Sequence, residues 1–136
     1  MMRIISYLVI ACGLAGCSQQ ENNSSSFDKR VKCDELVREK FRLIESGGGF
    51  RPARQSVITS NVNLNGRCYG LIDRQDAISA SYRLMIDGVS GEQLAMISKW
   101  SDSLVMTGRR NSNGAWEISD EKTVEGDIVN GMKSNW

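Results

Sequence analysis

The spacing of apolar residues predicts one helix near the start of the folded part of this chain. Between positions 33 and 44 apolar side chains recur at intervals of three and four, with Lys, Arg and Glu between them. These apolar residues are Cys33, Leu36, Val37, Phe41 and Ile44. That period puts them on one face of a helix. We expect Ser26 or Asp28 to cap the start of the helix and the glycines at 47–49 to end it.

After Pro52 the pattern changes to short alternating segments separated by turn residues, which is typical of antiparallel strands. Strands are predicted at residues 56–63, 67–73, 77–86, 103–110 and 115–119. Residues 92–100 fit a strand or a helix turn, and we favour a strand because short antiparallel neighbours flank them. The segment 123–129 is expected to add an edge strand. Trp116 and Ile118 are expected to point inward or to stack across strands.

Together these elements predict an α+β domain in which one amino-terminal helix packs on a curved antiparallel sheet of four to six strands. The order of elements resembles cystatin-like folds, in which a helix is wrapped by a curved antiparallel sheet. A fold of that kind does not imply a particular function.

The first sixteen residues have the layout of a cleaved export signal. Arg3 supplies a positive start, residues 4–14 form an apolar run too short to span a membrane, and small residues precede Cys17. The sequence Leu14-Ala15-Gly16-Cys17 resembles the lipobox of bacterial lipoproteins. This resemblance implies that the Cys17 thiol is diacylated and that the peptide is cut before it. The alternative is an ordinary secretory signal cut near Gly16, which would leave Cys17 as a plain thiol.

On the lipoprotein hypothesis the chain divides into three parts. Residues 1–16 are the cleaved signal, residues 17–26 are a lipidated flexible tether rich in Ser, Asn and Gln, and residues 27–136 form a single small periplasmic domain. The residue after Cys17 is Ser18. In well-studied lipoproteins, Asp at this position favours retention in the inner membrane. The resemblance therefore implies an anchor in the inner leaflet of the outer membrane, facing the periplasm.

The chain has four cysteines, and the lipobox resemblance accounts for two of them. Cys12 leaves with the signal and Cys17 carries lipid, so Cys33 and Cys68 remain as a pair in an exported protein. An oxidising compartment favours a disulfide between them. The alternative is two buried thiols that never meet.

A disulfide would select the turn around Asn65 and Gly66. A two-residue loop would put Cys68 on the face opposite Val62. A three-residue loop, with Gly66 in the left-handed conformation, pairs Val62 with Cys68 and places both with Ile58 and Ile72. Since Cys33 lies on the apolar stripe of the helix, only the second register brings both sulfurs into the layer between helix and sheet. We therefore predict the three-residue turn.

Charge is balanced overall but uneven along the chain. There are 17 Lys and Arg against 16 Asp and Glu, and nothing in this balance indicates nucleic-acid binding. Residues 28–54 are basic, whereas residues 111–136 are acidic. The two regions are expected to be solvated surface, or to face each other or a partner.

The chain has no histidine, which excludes the usual general base, the usual metal ligand and every Ser-His or Cys-His nucleophile pair. We therefore predict a protein that is not an enzyme and has no metal or cofactor. The alternative of a carboxylate hydrolase would need two facing acids, for which Asp73 and Asp76 are the candidates. The acidic cluster at 120–127 lacks the spacing of an EF-hand.

Three aromatic residues lie on predicted strands and either belong to the core or contact a ligand or partner. They are Tyr82, Trp100 and Trp116.

The leading prediction is a membrane-anchored envelope lipoprotein with a protein-binding domain, either a secretion or assembly accessory or an immunity or inhibitor protein. The alternative is a module that binds a small ligand, a lipid or a peptidoglycan fragment in the hollow between helix and sheet.

Overall fold

In the described parts of the chain, each strand pairs with the next one, which produces a six-stranded antiparallel meander in the order β1 to β6. The computed structural model describes residues 21–47, 53–76, 79–101 and 103–133. Helix α1 spans Glu21–Ser46 and helix α2 spans Glu121–Gly131. The strands are β1 Ala53–Val62, β2 Cys68–Asp76, β3 Ala80–Asp87, β4 Gln93–Trp100, β5 Ser103–Arg110 and β6 Trp116–Ile118. The predicted α+β class is confirmed, as is a strand at 93–100.

Helix α1 begins earlier than its sequence predicts. It starts at Glu21, upstream of both expected cap residues, Ser26 and Asp28, so residues 21–26 of the predicted flexible tether are helical. Extending an existing helix adds one hydrogen bond for each residue ordered and needs no new nucleus. The apolar period could not indicate this extension because the first turns carry no apolar residue. The predicted signal peptide and Cys17 lie outside the described residues.

The apolar stripe of α1 packs on the first strands of the sheet, as its period predicts. Val37 and Phe41 are 0% and 1% exposed. They form one core cluster together with Cys33, Cys68, Ile72, Leu84 and Ile86. Fully burying a side chain of this size contributes about 1.5–3 kcal/mol, so this layer is a main source of the stability of the fold.

A disulfide joins Cys33 of α1 to Cys68 of β2, and two glycines allow the helix to approach that closely. A Cβ atom on Gly70 would lie 2.6 Å from Cγ1 of Val37, and one on Gly88 would lie 2.3 Å from Sγ of Cys68. Both distances are shorter than real Cβ contacts. Any larger residue at either position would push α1 away from the sheet.

The turn between β1 and β2 has the predicted three-residue form. Val62 pairs with Cys68, Gly66 has a φ of 76°, and the Gly66 N–H donates to the Asn63 carbonyl at 2.9 Å. The Asn63 N–H donates in turn to the carbonyl of Arg67 at 2.9 Å. The prediction that the disulfide selects the bulged register is therefore confirmed.

The predicted edge strand at 123–129 is wrong, because these residues belong to helix α2. Asp120 caps the helix: its Oδ1 accepts from the Thr123 N–H at 2.9 Å. The apolar residues Val124 and Ile128, which are 0% and 1% exposed, lie four apart. That spacing fits a strand face as well as a helix face, so only the capping residue distinguished the two.

Helix α2 packs on the sheet face opposite α1. Val124 and Ile128 form a second core cluster with Leu71, Met85, Ala95 and Ile97. Among the described residues, the acidic residues around α2 pair with basic residues of β3, β4 and β5. The pairs are Arg83 with Glu125, Lys99 with Glu121, and Arg109 with Glu117 and Asp127.

Replacing Cys33 and Cys68 together by alanine is expected to lower the free energy of unfolding by about 4 kcal/mol, since the bridge closes a loop of residues 35 apart in sequence. Urea denaturation of the oxidised protein and the double variant measures the difference. Reductant should lower the midpoint of the parent chain and leave that of the variant unchanged. Equal stability of the two oxidised proteins would contradict the prediction.

Candidate functional site

The two described helices pack on opposite faces of the sheet. Helix α1 contacts mainly β1 and β2 on one face, while α2 contacts mainly β4 and β5 on the other. Within the described residues, two surfaces of the sheet are not covered by these helices. We call the α1-side surface of β4, β5 and β6 the open face, and the concavity between α2 and the first strands on the other side the groove.

The open face is rich in exposed apolar side chains. Strand pairing brings Met96 beside Gly108, Ser98 beside Met106, and Gly108 beside Ile118. Four large apolar residues are exposed there: Trp100 by 50%, Met106 by 43%, Trp116 by 37% and Ile118 by 82%. Met96, Met106 and Trp116 line a common depression there, and Ile118 pairs with Gly108, which the Trp116 indole covers.

Trp116 lies flat across the sheet because its neighbour is glycine. A Cβ atom on Gly108 would lie 2.6 Å from Cζ2 of the indole, so any other residue at this position would displace the ring. Trp116 thus stacks across strands, as predicted. Ile118 is neither buried nor stacked, because the indole occupies the space over Gly108. The expectation that Ile118 points inward is wrong.

The groove has a volume of about 900 Å³. Its lining is drawn from β1 to β4 and from α2, and combines apolar, amide and charged groups. The strand residues that carry its chemistry are Gln55, Val57, Asp73, Gln75, Arg83, Ile97 and Lys99, and those of α2 are Glu121, Lys122 and Glu125.

An arginine lies between two carboxylates in the groove. Nε of Arg83 donates to Asp73 at 2.7 Å, and Nη1 of the same side chain donates to Glu125. Partial burial lowers the pKa of Arg83, but the hydrogen bonds to Asp73 and Glu125 outweigh it and hold that pKa above its usual value. The guanidinium stays charged and is paired with both carboxylates, while Lys99, Glu121 and Lys122 also line the groove, so its charges are of both signs.

The three aromatic residues predicted to contact a ligand or partner do not meet in one cavity. Trp100 and Trp116 lie on the open face. Tyr82 lies at the edge of the groove lining, but it pairs with Arg74 and Ser98 and strand alternation directs its ring to the α1 side. The space between α1 and the sheet, where a ligand-binding hollow was expected, is filled by the buried cluster around Val37.

The two acidic residues proposed as a hydrolase pair, Asp73 and Asp76, do not face each other. Asp73 and Asp76 are three residues apart in β2, so their side chains leave opposite faces of the sheet. Asp73 binds Arg83 in the groove, while Asp76 is buried and accepts from the Ala80 N–H at 2.8 Å. Among the described residues, no three acidic or cysteine side chains are arranged to hold a metal ion.

Sequence reasoning missed the groove because its residues come from separate strands and from the unpredicted helix α2. Only the acidic character of residues 111–136 pointed to it. The basic partners of that segment, Arg83 and Lys99, carry no local motif.

Comparison with protein-family models, with curated proteins and with solved structures finds no match to this chain. The resemblance to cystatin-like folds therefore stays a prediction, as does the lipobox resemblance. No helix within the described ranges is both long and apolar enough to cross a membrane.

Replacing Gly108 by alanine is expected to displace the Trp116 indole into water and to shift tryptophan emission to longer wavelength. Gly126→Ala is the matched control, because a Cβ atom there meets nothing within 4 Å. Because position 126 lies in the interior of α2, Gly126→Ala should raise the free energy of unfolding by up to about 1 kcal/mol and leave the tryptophan emission unchanged. Identical emission of the Gly108→Ala protein and its parent would contradict the assigned contact.

Proposed function

We propose that this protein is an envelope lipoprotein whose domain binds another protein through the open face. The observation that carries the proposal is the group of exposed Trp and Met side chains on β4, β5 and β6. Monomeric proteins rarely leave large apolar side chains side by side in water, and such surfaces are typical of binding sites.

The composition of the open face also favours a protein partner. Trp, Met and Arg are enriched at the centres of protein interfaces, and Trp is prominent among the residues that contribute most binding energy. Met106 and Met96 border a depression of about 330 Å³ that Trp116 and Arg110 also line. Nε of Arg110 lies 2.8 Å from Glu92, so the charge at this rim is already paired and leaves the centre apolar.

The lipobox supports membrane attachment through Cys17. Two or three acyl chains hold a protein firmly at a membrane, since each buried CH₂ contributes about 0.8 kcal/mol. Residues 21–26 of the predicted tether are helical. On this proposal the flexible part of the tether is therefore shorter than the ten residues predicted. The domain would then act close to the membrane surface.

A photo-crosslinking residue in place of Ile118 should capture a specific protein in envelopes of the producing bacterium. The same residue in place of Val129, which is 48% exposed on α2 across the sheet from the open face, is the matched control and should not. Met106→Glu should abolish capture by position 118 while the protein stays folded. Equal capture from positions 118 and 129 would contradict an open-face interface.

Cys17→Ser should abolish acylation and release the chain from the membrane fraction. Metabolic labelling with palmitate and fractionation of cells measure both effects. Cys12→Ser, a second thiol of the same segment, should leave labelling and membrane attachment unchanged. Labelling that survives in the Cys17→Ser protein would contradict the lipoprotein proposal without bearing on the partner surface.

A further inference from the structure

Two turns of the sheet lie beside each other at one end of the domain. The β1–β2 turn covers residues 63–67 and the β3–β4 turn covers residues 88–92. The Gly88 N–H donates to the carbonyl of Cys68 at 2.8 Å, and Nη2 of Arg67 lies 3.0 Å from Asp87. These contacts join the two turns into one end of the sheet.

Helix α1 also starts at this end. The disulfide holds Cys33 at Cys68, the first residue of β2, whereas Glu45 pairs with Arg74 farther along that strand. The residues of α1 before Cys33 therefore extend past the start of β2. Phe27 precedes Cys33 by six residues, which is about 9 Å along a helix. Two residues of strand rise about 7 Å, so Phe27 lies at about the level of both turns.

Each of the three elements at this end exposes a large apolar side chain. Phe27 of α1 is 65% exposed, Leu64 of the β1–β2 turn 62% and Val89 of the β3–β4 turn 64%. Val31, one helical turn after Phe27, is 43% exposed. Among the described residues, only Ile118 is a more exposed large apolar side chain. We call the surface formed by Phe27, Val31, Leu64 and Val89 the turn end.

Charges of both signs surround the turn end. Residues 28–32 of α1 contain three basic side chains and one Asp, whereas Arg67 is paired with Asp87. The small positive excess is compatible with the phosphates of lipid headgroups. It is too small to select a partner alone, so a surface that contacts this end must interact mainly with the apolar side chains.

The proposed lipid anchor brings a bilayer to this end of the domain. Cys17 precedes Glu21, at the start of α1, by four positions, and four residues span at most about 14 Å in any conformation. Acylation of Cys17 would therefore hold the start of α1 within that distance of the lipid. A bilayer is thus the surface to which the chain itself would tether the turn end.

The polarity of α1 changes along its length in a way that suits this arrangement. Residues 21–26 contain no apolar side chain, and the first apolar residue of the described helix is Phe27. The polar headgroup layer is about 5–8 Å thick on each side of the hydrocarbon core. In a tilted helix the polar residues 21–26 fit this layer, while Phe27 and the turns reach its boundary with the acyl chains.

Given the proposed lipid anchor, on which this inference rests, we propose that the turn end lies on the bilayer with Phe27, Leu64 and Val89 inserted at the boundary between headgroups and acyl chains. Apolar side chains gain free energy by entering this boundary. Three contacts on different elements define a plane, so the lipid fixes the orientation of the domain as well as its location. The open face, which runs along β4, β5 and β6, then faces sideways and stays accessible to a protein partner.

The test uses the acylated chain in vesicles of phosphatidylethanolamine and phosphatidylglycerol, with one fluorescent label on an introduced cysteine. The disulfide leaves no native thiol in the domain, so Leu64→Cys, Val89→Cys and Leu104→Cys are each labelled at one position. Leu104 is the matched control, because it is 50% exposed and its strand partners place it at the other end of the sheet. A nitroxide on the lipid acyl chain should quench the labels at 64 and 89 about threefold more strongly than the label at 104.

Carboxylates at the two turns should withdraw the whole end from the lipid. In a chain labelled through Phe27→Cys, Leu64→Glu combined with Val89→Glu should lower quenching at position 27 about threefold, because charged side chains oppose insertion. Leu104→Glu should leave it unchanged. All of these positions are exposed, so the variants are expected to fold.

Equal quenching at 64, 89 and 104 in a chain that carries lipid on Cys17 would overturn the proposal and leave the lipoprotein proposal intact. Capture of a protein and no phospholipid by a photo-crosslinking residue at position 64 would also overturn it. Absence of acyl chains from Cys17, measured by mass spectrometry, would overturn the lipoprotein proposal and this one together. None of these results would alter crosslinking from position 118, so failure of the open-face proposal is distinguishable from all of them.

Discussion

The disulfide between Cys33 and Cys68 is the constraint on which the rest of the structure depends. It joins α1 to β2, and both sulfurs reach the layer between helix and sheet only if Val62 pairs with Cys68. Gly70 and Gly88 must then lack side chains so that the helix can approach. One covalent bond thus determines the register of the first hairpin, the face that α1 covers and the position of the main core.

Covering that face leaves other surfaces open. A helix is about 10 Å wide, whereas six strands at about 4.8 Å spacing extend over about 24 Å, so α1 cannot cover β4, β5 and β6 as well. Helix α2 packs on the opposite face of the sheet, so it does not cover this surface either. The described residues thus present an apolar open face on one side of the sheet and a charged groove on the other.

Much of the fold was predictable because its local patterns agree with its tertiary contacts. The stripe from Cys33 to Ile44, the alternation of the strands and the turn at Gly66 all indicated what the structure contains. Helix α2 was not predictable from its apolar period, since Val124 and Ile128 fit a strand equally well. Of the candidate site residues, Trp100 and Trp116 lie on the open face, and Tyr82 lies on the same side of the sheet in β3.

By itself the sequence predicted the class of fold from its short-range periods, the pairing of Cys33 with Cys68 from the lipobox resemblance, and the register of the first hairpin from that pairing. Only the tertiary structure decided which surfaces stay uncovered. The open face depends on how far one helix reaches across six strands, and the groove brings Asp73, Arg83 and Glu125 together from three separate elements. These residues are far apart in sequence, so no local sequence pattern predicts that they lie together.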